Sequence, residues 1–466
     1  MTDSDPVHLD RAHVWHPFTP HTTWFNPSFD PVVITSGQGS WLTDSNGKRY
    51  LDGNSSIWTN LHGHCHPHIN AAIKEQLDQI AHSSFLGLTN ACAPRLAARL
   101  VAAARSPSSQ GPHLNRCFFS DDGSTAIEAA LKIATQYFQQ NGAPERTEFL
   151  SLGSAYHGDT IGAMSLSKSP QFHRPFNHLL FPGQTLPPPA CYRCPFNRAQ
   201  PVRGSDARLT RQCQWECLHP VQEAVTRAGP RLAGMIVEPL VQGAAGFLMH
   251  PRGYLEKAAA LVQEQGGLFI VDEVMTGFFR TGRWFAHHHE PVQPDLVALA
   301  KGLTAGYLPM AATLCSEKLF QGFSGGVDRT FFHGHSYTGN QLGCRAALAN
   351  LDLLEAPGFP SQWAAIHESL QTVAQTFWTL PEVGDVRQEG TILAIELVRD
   401  FKSRTPFDPA ARLGARICEQ ARHHGLLTRP VGDVLLLMPP YSTTPEEVTQ
   451  MGKALLQATR ETLAAD

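Results

Sequence analysis

Short apolar runs alternate along the chain with longer stretches in which apolar residues recur every three or four positions. The short runs at residues 116–120 (RCFFS), 148–152, 234–237, 267–271 and 296–299 have the length and composition of buried strands. The periodic stretches predict helices. Over residues 125–140, Ile127, Leu131, Ala134 and Phe138 share one face before Asn141-Gly142 stops the pattern, and residues 251–265 and 341–354 read likewise. This alternation argues for a mostly parallel sheet wrapped by helices. The pattern changes near residues 351–358. A helix-rich segment then leads into TILAIELV (391–398) and VLLLM (434–438), which predicts a smaller α+β domain over 346–466. At the other end, WLTDSNGKRYLDG (41–53) places a Ser45-Asn46-Gly47 turn between two short strands, so residues 1–65 are expected to join the small domain or contact a partner subunit. Residues 66–345 would form the large domain. Residues 168–220, rich in Pro, Arg and Cys and without a clear period, would be an insertion in it. No repeat of solenoid or propeller length is visible.

Composition narrows the class. With 466 residues, 42% hydrophobic and 17% charged, the chain is a large folded protein and not a disordered one. Its formal charge of −4 gives no reason to expect nucleic acid or an anionic membrane as partner. No apolar run reaches membrane-span length, and the polar start MTDSDPVHLDR lacks the apolar core of a signal peptide, so a cytoplasmic location is expected. Ten cysteines are too few for a disulfide scaffold. Four of them form two close pairs, Cys191-x2-Cys194 and Cys213-x3-Cys217. That spacing suits one tetrahedral zinc, but the segment lacks the Gly turns and flanking hairpins of a zinc ribbon. The expectation is therefore reduced thiols without metal, with Cys213 and Cys217 one turn apart on a short helix.

Three features carry chemistry. In FIVDEVMTGFFRTG (269–282), an apolar strand ends in Asp272, and in an open α/β sheet the carboxyl ends of strands face the ligand crevice. A carboxylate there needs a cation or a protonated heterocycle, unless it merely caps a following helix. In PDLVALAKGLTAGYLP (294–309), Lys301 ends another apolar run between Ala300 and Gly302. Desolvation at such a place lowers a lysine's pKa and favours the neutral amine that attacks aldehydes; the alternative is a snorkelling surface lysine. In FFSDDGSTAIEAA (118–130), Gly123 and Ser124 open a helix whose N-terminus attracts an anion, although such residues are also ordinary caps. An acid for a ring nitrogen, a lysine for an aldehyde and a helix start for a phosphate together describe a site for pyridoxal 5'-phosphate.

With these residues the chain resembles the class III aminotransferases of pyridoxal-phosphate fold type I, over nearly its whole length. The family-like stretches are AYHGDTIGAMSL (155–166), IVEPLVQGAAG (236–246), DEVMTGFFRTG (272–282), ALAKGLTAGYLP (298–309) and HGHSYTGNQLGC (333–344). HVWHPFT (13–19), DGNSSIWTNLHGH (52–64) and LLTRPVGDVLLLMPP (426–440) resemble the branch that makes 7,8-diaminononanoate in biotin synthesis. The resemblance implies a large domain with a mostly parallel seven-stranded sheet, a small α+β domain built from both chain ends, and a homodimer. It also implies roles: Lys301 to bond the cofactor and shuttle a proton, Asp272 to keep the ring nitrogen protonated, Gly123 and Ser124 to hold the phosphate. Tyr156 and Val274 would cover the two ring faces, and His335 and Ser336 would reach the phosphate from the second subunit. Arg429 would anchor the distal carboxylate of 8-amino-7-oxononanoate, with Phe18, Ile57, Trp58, Arg280 and Gly334 near the substrate.

Three positions depart from the family pattern: Phe18 stands where many members have tyrosine, Ile57 where many have a first tryptophan, and His335-Ser336 in place of Pro-Thr. None touches Lys301 or Asp272. They bear on the amino donor, which the resemblance gives as S-adenosylmethionine, with L-lysine as the alternative. A different class III ω-aminotransferase, acting on a diamine or ω-amino acid, is the other enzyme reading, and a non-catalytic binding protein the reading from another class; the latter fits poorly with an intact Lys301 and Asp272. His287-His288-His289 reads as a surface loop, since adjacent residues rarely converge on one ion, and the histidines of His62-Gly-His64-Cys-His66 read as structural or near-substrate and not as metal ligands.

Overall fold

The apolar runs assemble into one sheet because each is too hydrophobic to leave either face in water. In the computed structural model, which describes residues 5–27, 29–105, 114–167 and 172–465, seven strands hydrogen-bond side by side. They are β1 (Leu114–Ser120), β2 (Glu148–Leu152), β3 (Gln184–Leu186), β4 (Leu232–Val237), β5 (Leu268–Asp272), β6 (Leu296–Leu299) and β7 (Ala311–Ser316). Their order is β1-β7-β6-β5-β4-β2-β3. Strand β7 runs antiparallel to both neighbours, while the remaining adjacent pairs are parallel. Every residue of β4, β5, β6 and β7 is buried, as expected for strands covered by helices on both faces.

The crossover helix Gly123–Gln140 follows β1 and begins at a capping box: Asp122 accepts from the Thr125 amide at 2.9 Å while the Thr125 hydroxyl reaches back to the Asp122 amide. The helices predicted at 251–265 and 341–354 are observed as Tyr254–Glu264 and Gln341–Leu354. Two strands lie outside the predicted set, β3 within the expected insertion and β7 after the Lys301 segment.

Both chain ends contribute to the smaller sheets. Ile34–Gln38, Trp41–Asp44 and Arg49–Asp52 form an antiparallel meander turning at Gly47, and Leu426–Leu427 adds to it in parallel beside Leu51–Asp52. Val383–Glu389, Ile392–Leu397 and Val434–Leu437 make a three-stranded antiparallel sheet. Helices Phe359–Phe377, Leu413–His423 and Pro445–Ala464 pack with these elements. Residues 168–171, at the start of the expected insertion, lie outside the described residues. From 187 to 215 the insertion contains neither helix nor strand. It is tied to the C-terminal segment by Arg193–Glu396 (2.7 Å), by Arg208–Glu389 (3.0 Å) and by Arg203 donating to the carbonyls of Trp378 and Leu380 (2.8 and 2.5 Å). Among the described residues no helix is long and apolar enough to cross a membrane.

Gly234 shows how closely the central strands approach. A Cβ there would stand 2.3 Å from the Leu268 carbonyl oxygen on β5, a backbone atom that cannot swing aside. Gly234→Ala should therefore lower stability by roughly 1–3 kcal/mol, as overpacking does, whereas Gly358→Ala, with nothing within 4 Å, should change little. Thermal midpoints of the two variants check this.

Candidate active site

The carboxyl ends of β1, β5 and β6 open onto a cavity of about 410 Å³. Of the residues singled out from the sequence, Trp58, Gly123, Ser124, Tyr156, Asp272, Val274 and Lys301 all line it. Asp272 is the last residue of β5 and only 5% exposed. One carboxylate oxygen lies 2.7 Å from His157 Nδ1, and the other accepts from the Val274 amide at 3.1 Å. No helix follows it directly, so it is not a helix cap. The buried histidine, which lines the same cavity, fixes the orientation of the carboxylate, and the cavity leaves room for a cationic ring beside it.

Lys301 lies one residue, Ala300, beyond the end of β6 and adopts a left-handed backbone, φ 44°. Its ammonium lies 4.6 Å from the centre of the Trp58 ring. Desolvation lowers its pKa, opposed by the negative charges of Asp272 and Glu238. Trp58 reaches this position through four consecutive left-handed residues, Ser55–Trp58, with φ between 46° and 68°. Each such residue costs about 1–2 kcal/mol. The turn is held by the Asp52 carboxylate, which accepts from the Ser56 amide and hydroxyl (2.9 and 2.8 Å), and by the Ser55 hydroxyl donating to the Met438 carbonyl (2.6 Å).

The start of helix Gly123–Gln140 forms the anion end of the cavity. A Cβ on Gly123 would sit 2.7 Å from Val274 Cγ1, so only glycine lets the helix start approach so closely. Ser124 Oγ lies 2.7 Å from the Thr160 hydroxyl and accepts from the Thr160 amide at 3.0 Å. Gly158 (φ 128°) packs directly on Ser124, where a Cβ would meet Oγ at 2.2 Å. Hydroxyl, free helix amides and glycine clearance suit a phosphate; Asp272 suits a pyridinium; Lys301 suits an aldehyde. The residues present fit pyridoxal phosphate. Tyr156 is half-buried, donates to Asp159 at 2.7 Å and stacks against His173.

Other expected residues lie elsewhere. Phe18 is 59% exposed and touches the cavity wall only through Phe172, which contacts Tyr156 in turn. Ile57 is exposed beside Trp58. Arg280, expected near the substrate, is instead a fully buried clamp. Its guanidinium donates to the carbonyls of Pro439 (2.9 Å) and Asn60 (3.1 Å) and lies over the Tyr441 ring, so it is engaged in holding three segments together. His335 Nδ1 is 3.3 Å from Asp121 at the cavity rim, while Gly334 and Ser336 are outside the lining. Arg429 is exposed on the turn between Leu426–Leu427 and Val434–Leu437, outside the lining. The triple histidine is not a surface loop. His287 and His288 are buried, and the His287 ring meets the fully buried Glu273 carboxylate at 2.9 Å, because that carboxylate needs a partner.

Sequence reasoning passed over Glu238, His157 and Gly158. Glu238 is 6% exposed and accepts from the amides of Tyr156 (3.0 Å) and Gly243 (2.8 Å). All three lie inside family-like stretches, but their roles depend on contacts across the chain.

A class-III aminotransferase profile matches residues 25–459. The chain belongs to the class-III aminotransferases, and the cofactor of this class is pyridoxal 5'-phosphate. It is 45% identical over 96% of its length, and 96% of the relative's, to the adenosylmethionine-8-amino-7-oxononanoate aminotransferase of Geobacter sulfurreducens. The crystal structure of the enzyme of that name from Methanocaldococcus jannaschii superposes with TM-score 0.88 at 36% identity, covering 98% of both chains. An amine transaminase from an uncultivated Pseudomonas species, solved with pyridoxal phosphate bound, gives 0.87 at 34% identity over 96% and 98%. These neighbours share the fold type I architecture.

Burial, with Asp272 adding to it, raises the Glu238 pKa to about 7. The folded state thus holds a proton that the unfolded chain releases above its ordinary value of 4.5. Stability contributed by this group is present at low pH and declines as pH rises towards 7. Glu238→Gln removes the effect. The stability of the wild type relative to this variant should therefore fall by a few kcal/mol, roughly 3, between about pH 5 and pH 8. Denaturation midpoints at the two pH values test this; a flat difference would mean Glu238 is ionised throughout.

Proposed function

We propose that this aminotransferase converts 8-amino-7-oxononanoate to 7,8-diaminononanoate in biotin biosynthesis, working in the cytoplasm as a homodimer with S-adenosylmethionine as amino donor. The observation that carries the reading is near-full-length similarity to relatives of that name, joined to a cavity whose lining includes Trp58, Val241, Met275, Leu308 and Met310, an apolar wall for an aliphatic chain. A homodimer is supported by exposed apolar side chains around the His335 loop, Phe332 and Tyr337, and by Leu86.

Bound in the cavity, pyridoxal phosphate supplies an electron sink that lets an amino group pass from one carbon skeleton to another. The protein's residues do the rest. Lys301 would hold the cofactor between turnovers and move the proton at the reacting carbon; burial lowers its pKa, in the direction that favours this proton transfer. Asp272, oriented by His157, holds the proton on the ring nitrogen. Gly123, Ser124 and the helix N-terminus fix the phosphate, with His335 and Ser336 of the second subunit completing that end. Tyr156 and Val274 confine the ring, and Trp58 shields the Lys301 amine from water. Arg429 receives the distal carboxylate of the acceptor. Among the described residues it is exposed and has no ion-pair partner, and its planar fork suits a carboxylate. Phe18 and Ile57 border the entrance.

A donor must leave before the acceptor binds, so the two half-reactions separate. Arg429→Ala should reduce kcat/KM for 8-amino-7-oxononanoate roughly tenfold to a hundredfold, the loss of a hydrogen-bonded charge pair. The S-adenosylmethionine half-reaction should change much less, and a lysine half-reaction comparably only if lysine uses the same arginine. Formation of diaminononanoate with S-adenosylmethionine supports the reading, formation with lysine alone replaces the donor, and formation with neither overturns the substrate.

A further inference from the structure

The two cysteine pairs of the insertion do not lie apart. Cys191, Cys194, Cys213 and Cys217 all line a single small gap of about 10 Å³, together with Arg211 and Trp215. That volume accommodates one water-sized sphere, which is room for an ion but not for an organic ligand. None of the four is in a disulfide; Cys191 is buried and the others are half-buried. Cys191 is close enough to the other three to feel each of them electrostatically.

The backbone brings the pairs together deliberately. Cys191 and Cys194 occupy consecutive turns, with the Arg193 amide bonding to the Ala190 carbonyl (3.0 Å) and the Asn197 amide to the Cys194 carbonyl (3.1 Å). Asn197 then staples the two halves: its amide donates to the Cys191 carbonyl (2.9 Å) and its oxygen accepts from the Gln212 amide (2.9 Å), beside the second pair. Arg211 donates to the Cys213 sulfur at 3.1 Å and stacks on Trp215 at 4.0 Å, placing a fixed positive charge where several thiolates would gather. Cys213 precedes the short turn Glu216–Leu218 that carries Cys217, so the pair does not share the helix that their spacing suggested.

We propose that these four cysteines form a structural zinc site. Four thiolates complete the tetrahedral shell of Zn²⁺, leave no open position for catalysis, and account for how residues 187–215 keep their shape without helix or strand. Binding exchanges thiol protons, released to solvent, for metal–sulfur bonds and needs no oxidant. Among the described residues no group of three or more His, Cys, Asp or Glu side chains already stands in metal-binding geometry. Binding would therefore require the sulfurs to close on the ion by side-chain rotation. The site lies away from the reaction. Cys191 also borders a second cavity of about 380 Å³ walled by Tyr192, Arg208 and Arg387, and Ala244 lines both that cavity and the active site.

The test is elemental analysis of the untagged holoenzyme purified without chelators. About one zinc per chain is expected in the wild type and in a Cys344→Ser control, and none in Cys194→Ser/Cys217→Ser. Should that double variant fail to fold, the wild type alone decides: titration with a mercurial should release the zinc in step with thiol modification, and cobalt substitution should give thiolate-to-metal charge-transfer absorption with tetrahedral d–d bands. A metal-free wild type, zinc retained by the folded double variant, or disulfides joining these cysteines in freshly isolated protein would overturn the proposal.

Discussion

A carboxylate buried at the end of a central strand is the constraint around which the site is organised. Asp272 is only 5% exposed, and a buried carboxylate needs polar partners; the fold provides two, the His157 ring and the Val274 amide. Both partners line the same cavity as the carboxylate and hold it at the cavity wall, where a protonated heterocycle can meet it. Lys301, at the end of the neighbouring parallel strand, faces the same cavity, and β5 and β6 are in register at Asp272 and Ala298. Strand order brings the two chain segments side by side, and the left-handed turn at Lys301, two residues beyond the strand, sets the amine beside the acid's cavity.

Around this pair the backbone departs from ordinary conformations. Ser55, Ser56, Ile57, Trp58, Phe278, Phe279 and Lys301 all have positive φ without being glycine. Strain of this kind persists only where surrounding contacts over-determine it. Here Asp52 and the Met438 carbonyl hold the turn before Trp58, and Arg280 bridges the carbonyls of Asn60 and Pro439. Arg280 therefore serves the chemistry indirectly, by joining the N-terminal segment to the last strand of the small sheet. The same junction explains why the chain ends interlock: Leu426–Leu427 pairs with Leu51–Asp52, immediately before the strained turn.

Much of this was legible in the sequence. The strands ending at Ser120, Asp272 and Leu299 and the helix after Gly123 follow directly from hydrophobic periodicity, because long apolar patterns bounded by polar turns leave few alternatives. Strand β7 escaped notice since its Ala-Ala-Thr start offers little bulk, and β3 since it is three residues inside a Pro-rich segment. Lys301, Asp272, Gly123 and Ser124 were recognisable as chemistry placed at strand ends. Glu238, His157 and Gly158 were not, for their roles arise from partners 82, 115 and 34 residues away, which no local pattern encodes. The triple histidine misled for the same reason: a run of polar residues reads as exposed until the structure shows which carboxylate is buried with it.

The account turns on Lys301 being the amine that engages the cofactor. Borohydride reduction of the holoenzyme followed by peptide mapping measures this directly. The account predicts the reduced cofactor fixed on the peptide containing Lys301 and no labelling of the Lys301→Ala variant. Reduced cofactor on another lysine, with Lys301 unmodified, would contradict it.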